Sequence, residues 1–282
     1  HHGQSAGHLL HWWEPETPHR QESEDLRVVW KPDEPDKWRY NGQIKEIFQL
    51  KDSLPHGKYQ RYNEDGNLVE KGLYASGKRQ GLFITFFPGT QDTLKKVNFV
   101  AGLQSGPAIS FHPNGKISQE AVYQEGQLQG EVKTYYENGK IKTHTVFINN
   151  FPHGTRSSYY ENGQLMETAQ YERGVLEGEF IQYYEDGTME SKSFYEKGNL
   201  TGTFSSFFIT GQKASEIKYK GGVKHGDFQT FFEDGKMESE GRYRRGHPNG
   251  LFTTYHENGQ IASTTTFNKG VIKGEILKFY PS

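Results

Sequence analysis

The chain has 282 residues, no cysteine and a formal net charge of −2. The lack of cysteine excludes disulfides and thiolate metal sites, and the near-neutral charge provides no overall field for nucleic acid or an anionic membrane. Aromatic residues make up 14% of the chain and glycine supplies 33 residues, which is typical of a β protein rich in turns. Since no apolar run reaches membrane-spanning length, we expect no transmembrane segment.

Residues 1–37 precede the regular part of the chain and are rich in His, Glu and Pro. Their prolines disfavour a long helix or a central strand. We predict a non-repeat segment that is either a flexible tail or a cap on the open edge of the first repeats, because terminal repeats generally need a cap. Its tryptophans, together with the one that follows, are candidate partner contacts: Trp12, Trp13, Trp30 and Trp38.

The N-terminus begins at His1 rather than Met. This start favours a processed protein of the cell envelope or a secreted protein over a cytoplasmic one, although a cloning tag would explain it equally. The crowded histidines of this segment are interpreted as a tag remnant or a polar tail rather than as a metal site: His1, His2, His8, His11 and His19.

From residue 38 to residue 282 the chain repeats itself with a period of 24 residues. One glycine series consists of Gly115, Gly139, Gly163, Gly187, Gly211, Gly235 and Gly259, and a second of Gly130, Gly154, Gly178, Gly202, Gly226, Gly250 and Gly274. Earlier copies begin at Gly42, Gly66 and, less regularly, Gly89. A fixed short period of about ten units indicates one repeat array.

Most units carry Asn-Gly or Asp-Gly between alternating apolar residues, as at Asn138-Gly139. This pattern predicts a β-hairpin with a two-residue type I′ turn. The turn sets a register in which Thr134 faces Thr143, Val132 faces Thr145 and Gly130 faces Phe147. The predicted fold is all-β: an elongated antiparallel β-hairpin repeat array forming a single curved sheet or rod.

The same register predicts two different faces of the sheet. On one face large side chains face small ones, with the second glycine of each unit opposite an aromatic residue. A connecting loop such as 124–130 is expected to fold its Leu128 beneath this face. The other face is mostly polar and keeps one aromatic residue per hairpin. We call these residues the aromatic ladder: Tyr135, Tyr159, Tyr183, Phe207, Phe231, Tyr255 and Phe279.

These residues resemble the MORN-variant repeat, a relative of the membrane occupation and recognition nexus repeat. The resemblance is clearest at Gly163-Gln164-Leu165, Tyr171, Gly174, Gly178, Phe180 and Tyr183-Tyr184. It implies a β-hairpin rod that serves as a scaffold or binding surface, and bacterial proteins of this type are often labelled antitoxins. Eukaryotic relatives have been linked to lipids, but the units here lack the usual tryptophan and basic clusters, so lipid binding is not expected.

The histidines and glutamates that could carry catalytic chemistry recur at the same position in several repeats. They do not form one distinct cluster of the kind that an active site needs. His56, His153 and His225 share one turn position and are expected to be structural. A row of glutamates precedes the hairpin turns, but calcium sites need oxygens that converge on one point, and lysines across the turn, such as Lys140, suggest exposed ion pairs. No cofactor, metal site or enzymatic activity is therefore expected.

The sequence favours a non-enzymatic scaffold or accessory subunit that binds a protein partner. The predicted contacts are residues 1–38, Thr90 and Asp92 in an insertion at 88–94, and the aromatic ladder from Tyr135 to Tyr255. Insertions in repeat arrays often map to the binding face. Alternatively, the ladder rings only stack on one another. An antitoxin-type neutraliser of a toxin enzyme and a carbohydrate-binding surface protein are the alternative functions.

Overall fold

A computed structural model describes residues 44–281, which form one open antiparallel sheet of 22 strands. The predictions for residues 1–37 and for Trp12, Trp13, Trp30 and Trp38 lie outside the described residues. Within the described range the all-β prediction is confirmed, and no helix there is long and apolar enough to cross a membrane.

Each strand pairs with its neighbours in sequence, so the sheet is a meander. The strands are β1 (Glu46–Lys51), β2 (Leu54–Tyr62), β3 (Leu68–Ala75), β4 (Lys78–Phe86), β5 (Thr93–Val100), β6 (Leu103–Phe111), β7 (Ile117–Gln124), β8 (Gln127–Leu128), β9 (Gly130–Tyr135), β10 (Ile141–Ile148), β11 (Phe151–Tyr159), β12 (Leu165–Glu172), β13 (Val175–Tyr183), β14 (Met189–Glu196), β15 (Asn199–Phe207), β16 (Lys213–Lys220), β17 (Val223–Phe231), β18 (Met237–Arg244), β19 (His247–Pro248), β20 (Gly250–Tyr255), β21 (Ile261–Asn268) and β22 (Val271–Lys278). The short β8 and β19 continue into β9 and β20, since each pair of strands lies along one partner, β7 and β18 respectively.

The Asn-Gly turns differ from the predicted type. Only the glycine has positive φ at Asn138-Gly139, where Gly139 is at 92°. The Gly139 amide donates to the Tyr136 carbonyl at 2.8 Å, and the Tyr136 amide donates to the Lys140 carbonyl at 2.9 Å. This is a three-residue loop that ends on a left-handed glycine. The two-residue type I′ turn predicted here is therefore wrong, because the asparagine stays at negative φ and its Oδ1 accepts from the Lys140 amide.

The predicted register nevertheless holds beyond the turn. Tyr135 pairs with Ile141, whereas the next pair is Thr134 with Thr143, so Lys142 is an extra residue on its strand. This bulge offsets the extra residue of the three-residue loop. The pairs predicted farther from the turn, including Gly130 with Phe147, are confirmed. A two-residue turn would also pair Tyr136 with Ile141, and that pair is wrong by one residue.

Type I′ turns are found at the opposite rim of the sheet. Glu125 and Gly126 have φ of 50° and 82° and join Gln124 to Gln127 directly. The predicted connecting loop at 124–130 is therefore wrong, because most of that segment is β-strand. Leu128 lies directly across from Tyr123 in the sheet and is buried, rather than folding beneath it as a loop.

Neighbouring type I′ turns are joined by backbone hydrogen bonds. The Gly126 amide donates to the Gln104 carbonyl of the preceding unit at 2.8 Å, and the Gly174 amide donates likewise to Pro152. Each turn is therefore tied to the unit before it.

The packed face holds the aromatic core. Tyr59, Phe83 and Phe99 are at most 8% exposed, and their rings meet in tilted and edge-on contacts with centroids 5.1–6.0 Å apart. Phe180 with Tyr195 and Phe252 with Phe267 repeat the edge-on contact farther along the chain. The buried apolar residues of the described chain end at Tyr171. The packing therefore becomes more open toward β22.

Candidate functional site

The aromatic ladder lies on the face opposite the packed core, as predicted. Tyr135, Tyr159, Tyr183, Phe207, Phe231 and Tyr255 are all half-buried. They do not stack on one another: the ring–ring contacts made by the described residues belong to the packed face. The alternative of a self-stacked ladder is therefore wrong, and a role for the ladder in partner binding remains a prediction.

Several ladder rings contact a polar side chain fifteen residues earlier, on the preceding hairpin. The Tyr255 hydroxyl donates to Glu240 at 2.7 Å, and the Tyr135 hydroxyl donates to Glu120. Burial, together with this hydrogen bond, raises the pKa of Tyr135 to about 12. Toward the N-terminal end, lysines take the place of the carboxylates, and the ammonium groups of Lys71 and Lys96 lie over the rings of Phe86 and Phe111: the distances are 5.3 and 5.4 Å.

An exposed apolar area occupies the ladder face of the first hairpins. Leu73, Leu82 and Val122 are 48%, 49% and 43% exposed. Pro107 pairs with Val122, and the half-buried Ile84 and Ile109 flank Lys96 on either side across β5. We call this set the apolar patch: Leu73, Leu82, Ile84, Pro107, Ile109 and Val122.

Later hairpins place charges where the apolar patch has aliphatic side chains. Asp227 stands at the repeat position of Leu82, and Arg242 at that of Val122. Asp227 accepts from Lys218 at 2.7 Å and pairs with Arg242 at 3.7 Å. Glu179 likewise pairs with Lys192 at 2.5 Å. The ladder face is thus mostly aliphatic in its first hairpins and carries ion pairs at several later positions, where Phe194 and Leu251 remain exposed apolar residues.

The insertion at 88–94 proves smaller than expected. The Phe87 amide donates to the Asp92 carbonyl at 3.0 Å, so the loop contains four residues where regular units have three. Thr90 and Asp92 are exposed at its tip, and the Thr90 hydroxyl accepts from the Asp92 amide at 3.0 Å. The predicted replacement of a turn by seven inserted residues is wrong; the unit is longer by one residue.

His56 and His225 have the predicted structural role, whereas the same role for His153 stays a prediction. The Nδ1 atoms of His56 and His225 each accept a backbone amide of the following type I′ turn at 3.4 Å. Gln129 and Glu177 accept the equivalent amide with their side-chain oxygens. Any of these side chains suffices because the position needs only a hydrogen-bond acceptor.

The Asn-Gly rim carries a hydrogen bond between hairpins that sequence reasoning missed. The second residue of each aromatic doublet reaches forward: the hydroxyls of Tyr136, Tyr160 and Tyr184 donate to the carbonyls of Tyr159, Tyr183 and Phe207 at 2.7–2.8 Å. His112 and His256 bond the corresponding carbonyls through Nε2 at 2.8 and 2.9 Å. We call this contact the tyrosine stitch.

The rim lysines bind backbone oxygens more than the carboxylates that precede the turns. Lys116 donates to the Asn138 carbonyl at 3.0 Å, and Lys140 to that of Asn162. Lys236 pairs with Asp234 at 2.7 Å and also donates to the Glu257 carbonyl. The predicted ion pairs with the row of glutamates are therefore wrong at these positions, since the lysines bridge consecutive turns. No group of three or more His, Asp or Glu side chains in residues 44–281 is placed to hold a metal ion.

Comparison with protein families gives one match. The family model described as MORN repeat variant matches seven segments that together cover more than half of the chain: residues 55–76, 104–125, 128–149, 152–173, 176–197, 224–245 and 248–269. The family model does not match the units at 77–103 and 198–223. The first contains the four-residue turn at 88–91, and the second has Thr210-Gly211 where most units have Asn-Gly or Asp-Gly. No curated protein matches the chain.

Proposed function

The chain belongs to the MORN repeat variant family, and we propose that it is a non-enzymatic scaffold whose apolar patch docks a protein partner. Repeats of this kind commonly serve protein or lipid interactions. The observation that carries the proposal is the concentration of exposed aliphatic side chains on the ladder face of the first hairpins. The fold does not require aliphatic side chains at these positions, since later units place the ion-paired Asp227 and Arg242 there.

The exposed area has the character of a protein interface. Contiguous exposed apolar side chains rimmed by polar groups mark interaction sites more than scattered ones do. Leu73, Leu82 and Val122 supply exposed apolar area across β3 to β7. Lys71 lies at one edge of this area, whereas Lys96 lies within it, between Ile84 and Ile109. Both lysines face aromatic rings of the same surface, which orders their stems. A partner would bury the aliphatic groups around Lys96 and leave the ammonium group of Lys71 at a polar rim.

The rigid array suits this role because every strand of the patch is hydrogen-bonded on both sides. Leu82 lies on β4 and Val122 on β7, and both strands are interior to the sheet. Directly beneath them, on the packed face, lie the buried Phe83 and Ala121. The patch is therefore preorganised, which reduces the entropy that docking would cost.

Partner capture from the native source with matched variants tests the proposal. The double variant Leu82→Asp/Val122→Arg introduces, on two separate hairpins, the residue types that Asp227 and Arg242 supply at the same repeat positions. Both positions are exposed, so each should accept its charge without loss of the fold. It is expected to lose the partner that the parent enriches, while its thermal midpoint stays close to that of the parent. Leu251→Asp is the control, because Leu251 has the repeat position of Leu82, is 57% exposed and lies outside the patch.

Two outcomes would contradict the proposal: retention of the partner by the double variant, or equal loss by the Leu251→Asp control.

The predicted role of Thr90 and Asp92 is tested in the same assay. Deleting Gly89 shortens the 88–91 turn to the regular length, and this variant should retain less partner if the loop contributes contacts.

A further inference from the structure

Between Tyr184 and His256 the tyrosine stitch is interrupted at two consecutive hairpins. The doublets Tyr135-Tyr136, Tyr159-Tyr160 and Tyr183-Tyr184 give way to Phe207-Phe208 and Phe231-Phe232. Phe208 and Phe232 carry no hydroxyl, so neither can donate the bond that the carbonyls of Phe231 and Tyr255 would receive in a regular unit. The stitch returns at His256, which bonds the Phe279 carbonyl.

A groove lies where the stitch is missing. It is open to solvent and has a volume of about 830 Å³, and Phe208, Phe231 and Phe232 are the aromatic residues that line it. Glu233, Glu238 and Glu257 are also among its lining residues. Aromatic faces and carboxylates both attract cations, the first through the negative face of the ring and the second through charge.

The cation already present in the groove is engaged in local contacts. Lys236 is the one positively charged residue among the described residues that line it. Its ammonium group lies 2.7 Å from Asp234 and 2.9 Å from the Glu257 carbonyl. Because Asp234 balances Lys236, the carboxylates of Glu233, Glu238 and Glu257 leave the groove with an excess of negative charge.

We propose that this groove between the hairpins of Phe208 and Phe232 binds an arginine side chain of a basic protein segment. A guanidinium is planar and carries five N–H donors, so it can lie against a phenylalanine ring while it donates to a carbonyl and to a carboxylate. It would replace the missing tyrosine hydroxyl as the donor to the Phe231 carbonyl. An ammonium group has a strongly hydrated, compact charge and matches this combination less well.

The position of Glu238 supports the assignment. Glu238 is the extra residue of the bulge on β18, and the equivalent residue of an earlier unit, Lys142, lies over the ring of Tyr136 at 5.5 Å. The fold thus places a charged side chain of the bulge against the second ring of the doublet. In the hairpin of Phe232 that charge is negative and the ring has no hydroxyl, which leaves a position for a cation between them.

Fluorescence anisotropy with a labelled peptide tests the proposal on the full chain. The probe is Gly-Arg-Gly-Arg-Gly with blocked termini, and the control peptide replaces each arginine by citrulline, which keeps the shape and removes the charge. The arginine peptide should bind the parent about twofold to fivefold more tightly, as expected from one favourable charge pair at an exposed site. Binding should weaken about threefold to fivefold in Glu238→Gln and should also weaken in Phe208→Tyr, whose hydroxyl would take the Phe231 carbonyl.

The matched control is Glu190→Gln, because Glu190 has the same bulge position in a hairpin with an intact stitch from Tyr184. It should bind the arginine peptide as the parent does. Equal binding of the two peptides by the parent, or equal loss in Glu190→Gln and Glu238→Gln, would overturn the assignment. The groove is distinct from the apolar patch, so the Leu82→Asp/Val122→Arg variant should keep peptide binding, and failure of one proposal is distinguishable from failure of the other.

Discussion

At the scale of single residues, the second glycine of each unit is required by its backbone conformation rather than by the ring that faces it. Gly178 does pair with Tyr195, but a Cβ at Gly178 would meet the Cβ of Gln170 at 3.1 Å and not the tyrosine ring. Its φ of 106° is one that L-residues rarely adopt. True ring collisions occur instead at Gly72 and Gly241, where a Cβ would lie 2.5–2.6 Å from a phenylalanine ring.

Replacement of Gly178 by alanine should therefore destabilise the array by about 1–3 kcal/mol. Gly202→Ala is the matched control: Gly202 has the same repeat position with φ of 70° and nothing within 4 Å of its Cβ. Chemical denaturation should show a smaller loss for this control, since it lacks the contact with Gln170 and its φ lies closer to the left-handed region that L-residues can adopt. Equal losses would show that neither the contact nor the larger φ of Gly178 adds to the cost.

Arg156 and Glu167 form a partly buried pair within the packed face. Their side chains approach to 3.7 Å and are 20% and 11% exposed. Burial raises the pKa of Glu167, and the Arg156 guanidinium opposes part of that rise. A carboxyl whose pKa is higher in the folded state than in the unfolded state favours folding at low pH, and that contribution is lost as pH rises through the folded pKa.

Arg156→Phe should therefore make stability fall more steeply between about pH 4 and pH 8, because it removes the opposing charge and raises the pKa of Glu167 further. We expect a loss of about 2–3 kcal/mol at pH 8, slightly below the range for fully buried pairs. Adding Glu167→Ser reproduces the Phe180 and Ser191 arrangement of the next hairpin. It should restore stability and abolish the fall with pH that Glu167 causes, because no carboxyl remains at residue 167. An unchanged pH profile in the single variant would contradict the assignment.

At the scale of the hairpin, the sequence predicts the pairs better than it predicts the turns. Asn-Gly is compatible with a type I′ turn and with a three-residue loop that ends on a left-handed glycine. Because Lys142 forms a bulge, the two kinds of turn give the same register beyond the turn. Residue pairing alone therefore cannot distinguish a type I′ turn from the three-residue loop. The true type I′ turns, such as Arg173-Gly174, lack Asn-Gly and their pattern is less specific.

The groove that we propose binds arginine could not be predicted, because the sequence change that marks it is the loss of a single tyrosine hydroxyl. Exchange of tyrosine for phenylalanine at residue 208 preserves hydrophobicity and size, so it leaves the repeat pattern intact. Its consequence depends on the carbonyl of Phe231, which lies in the next hairpin and becomes known only with the structure. By contrast, the ladder face was predictable because alternation along a strand assigns each residue to one side.

The tyrosine stitch should contribute measurably to the cohesion of neighbouring hairpins. Tyr184→Phe removes the 2.8 Å bond to the Phe207 carbonyl and should cost about 0.5–1.5 kcal/mol. Phe208→Tyr should increase stability by a similar amount if the new hydroxyl reaches the Phe231 carbonyl. Tyr183→Phe is the control, since the structure describes no hydrogen-bond partner for that hydroxyl, and its unfolding free energy should match that of the parent.

At the scale of the whole array, each hairpin contacts mainly its sequence neighbours, so stability is set locally and need not be uniform. A 24-residue period was enough to predict this architecture, since every unit repeats the same pairing. It could not predict the distribution of burial, which depends on the side chain at each position. Buried apolar residues extend from Tyr59 to Tyr171, whereas every residue of β22 is exposed.

Hydrogen exchange should reveal this gradient along the sheet. Amides of β4 to β7 should be the most protected, because their packed face contains Phe83, Val97 and Phe99 at no more than 8% exposure. Protection should fall from β15 onward and be lowest in β22, which pairs on one side only within the described residues. The apolar patch lies on the ladder face of the most protected strands, so binding of a partner would not require the scaffold to become ordered. The groove proposed to bind arginine lies in the less protected part of the sheet. Uniform protection along the array would instead show that the hairpins unfold as one cooperative unit, with stability passed between them by the turn-to-turn hydrogen bonds at both rims.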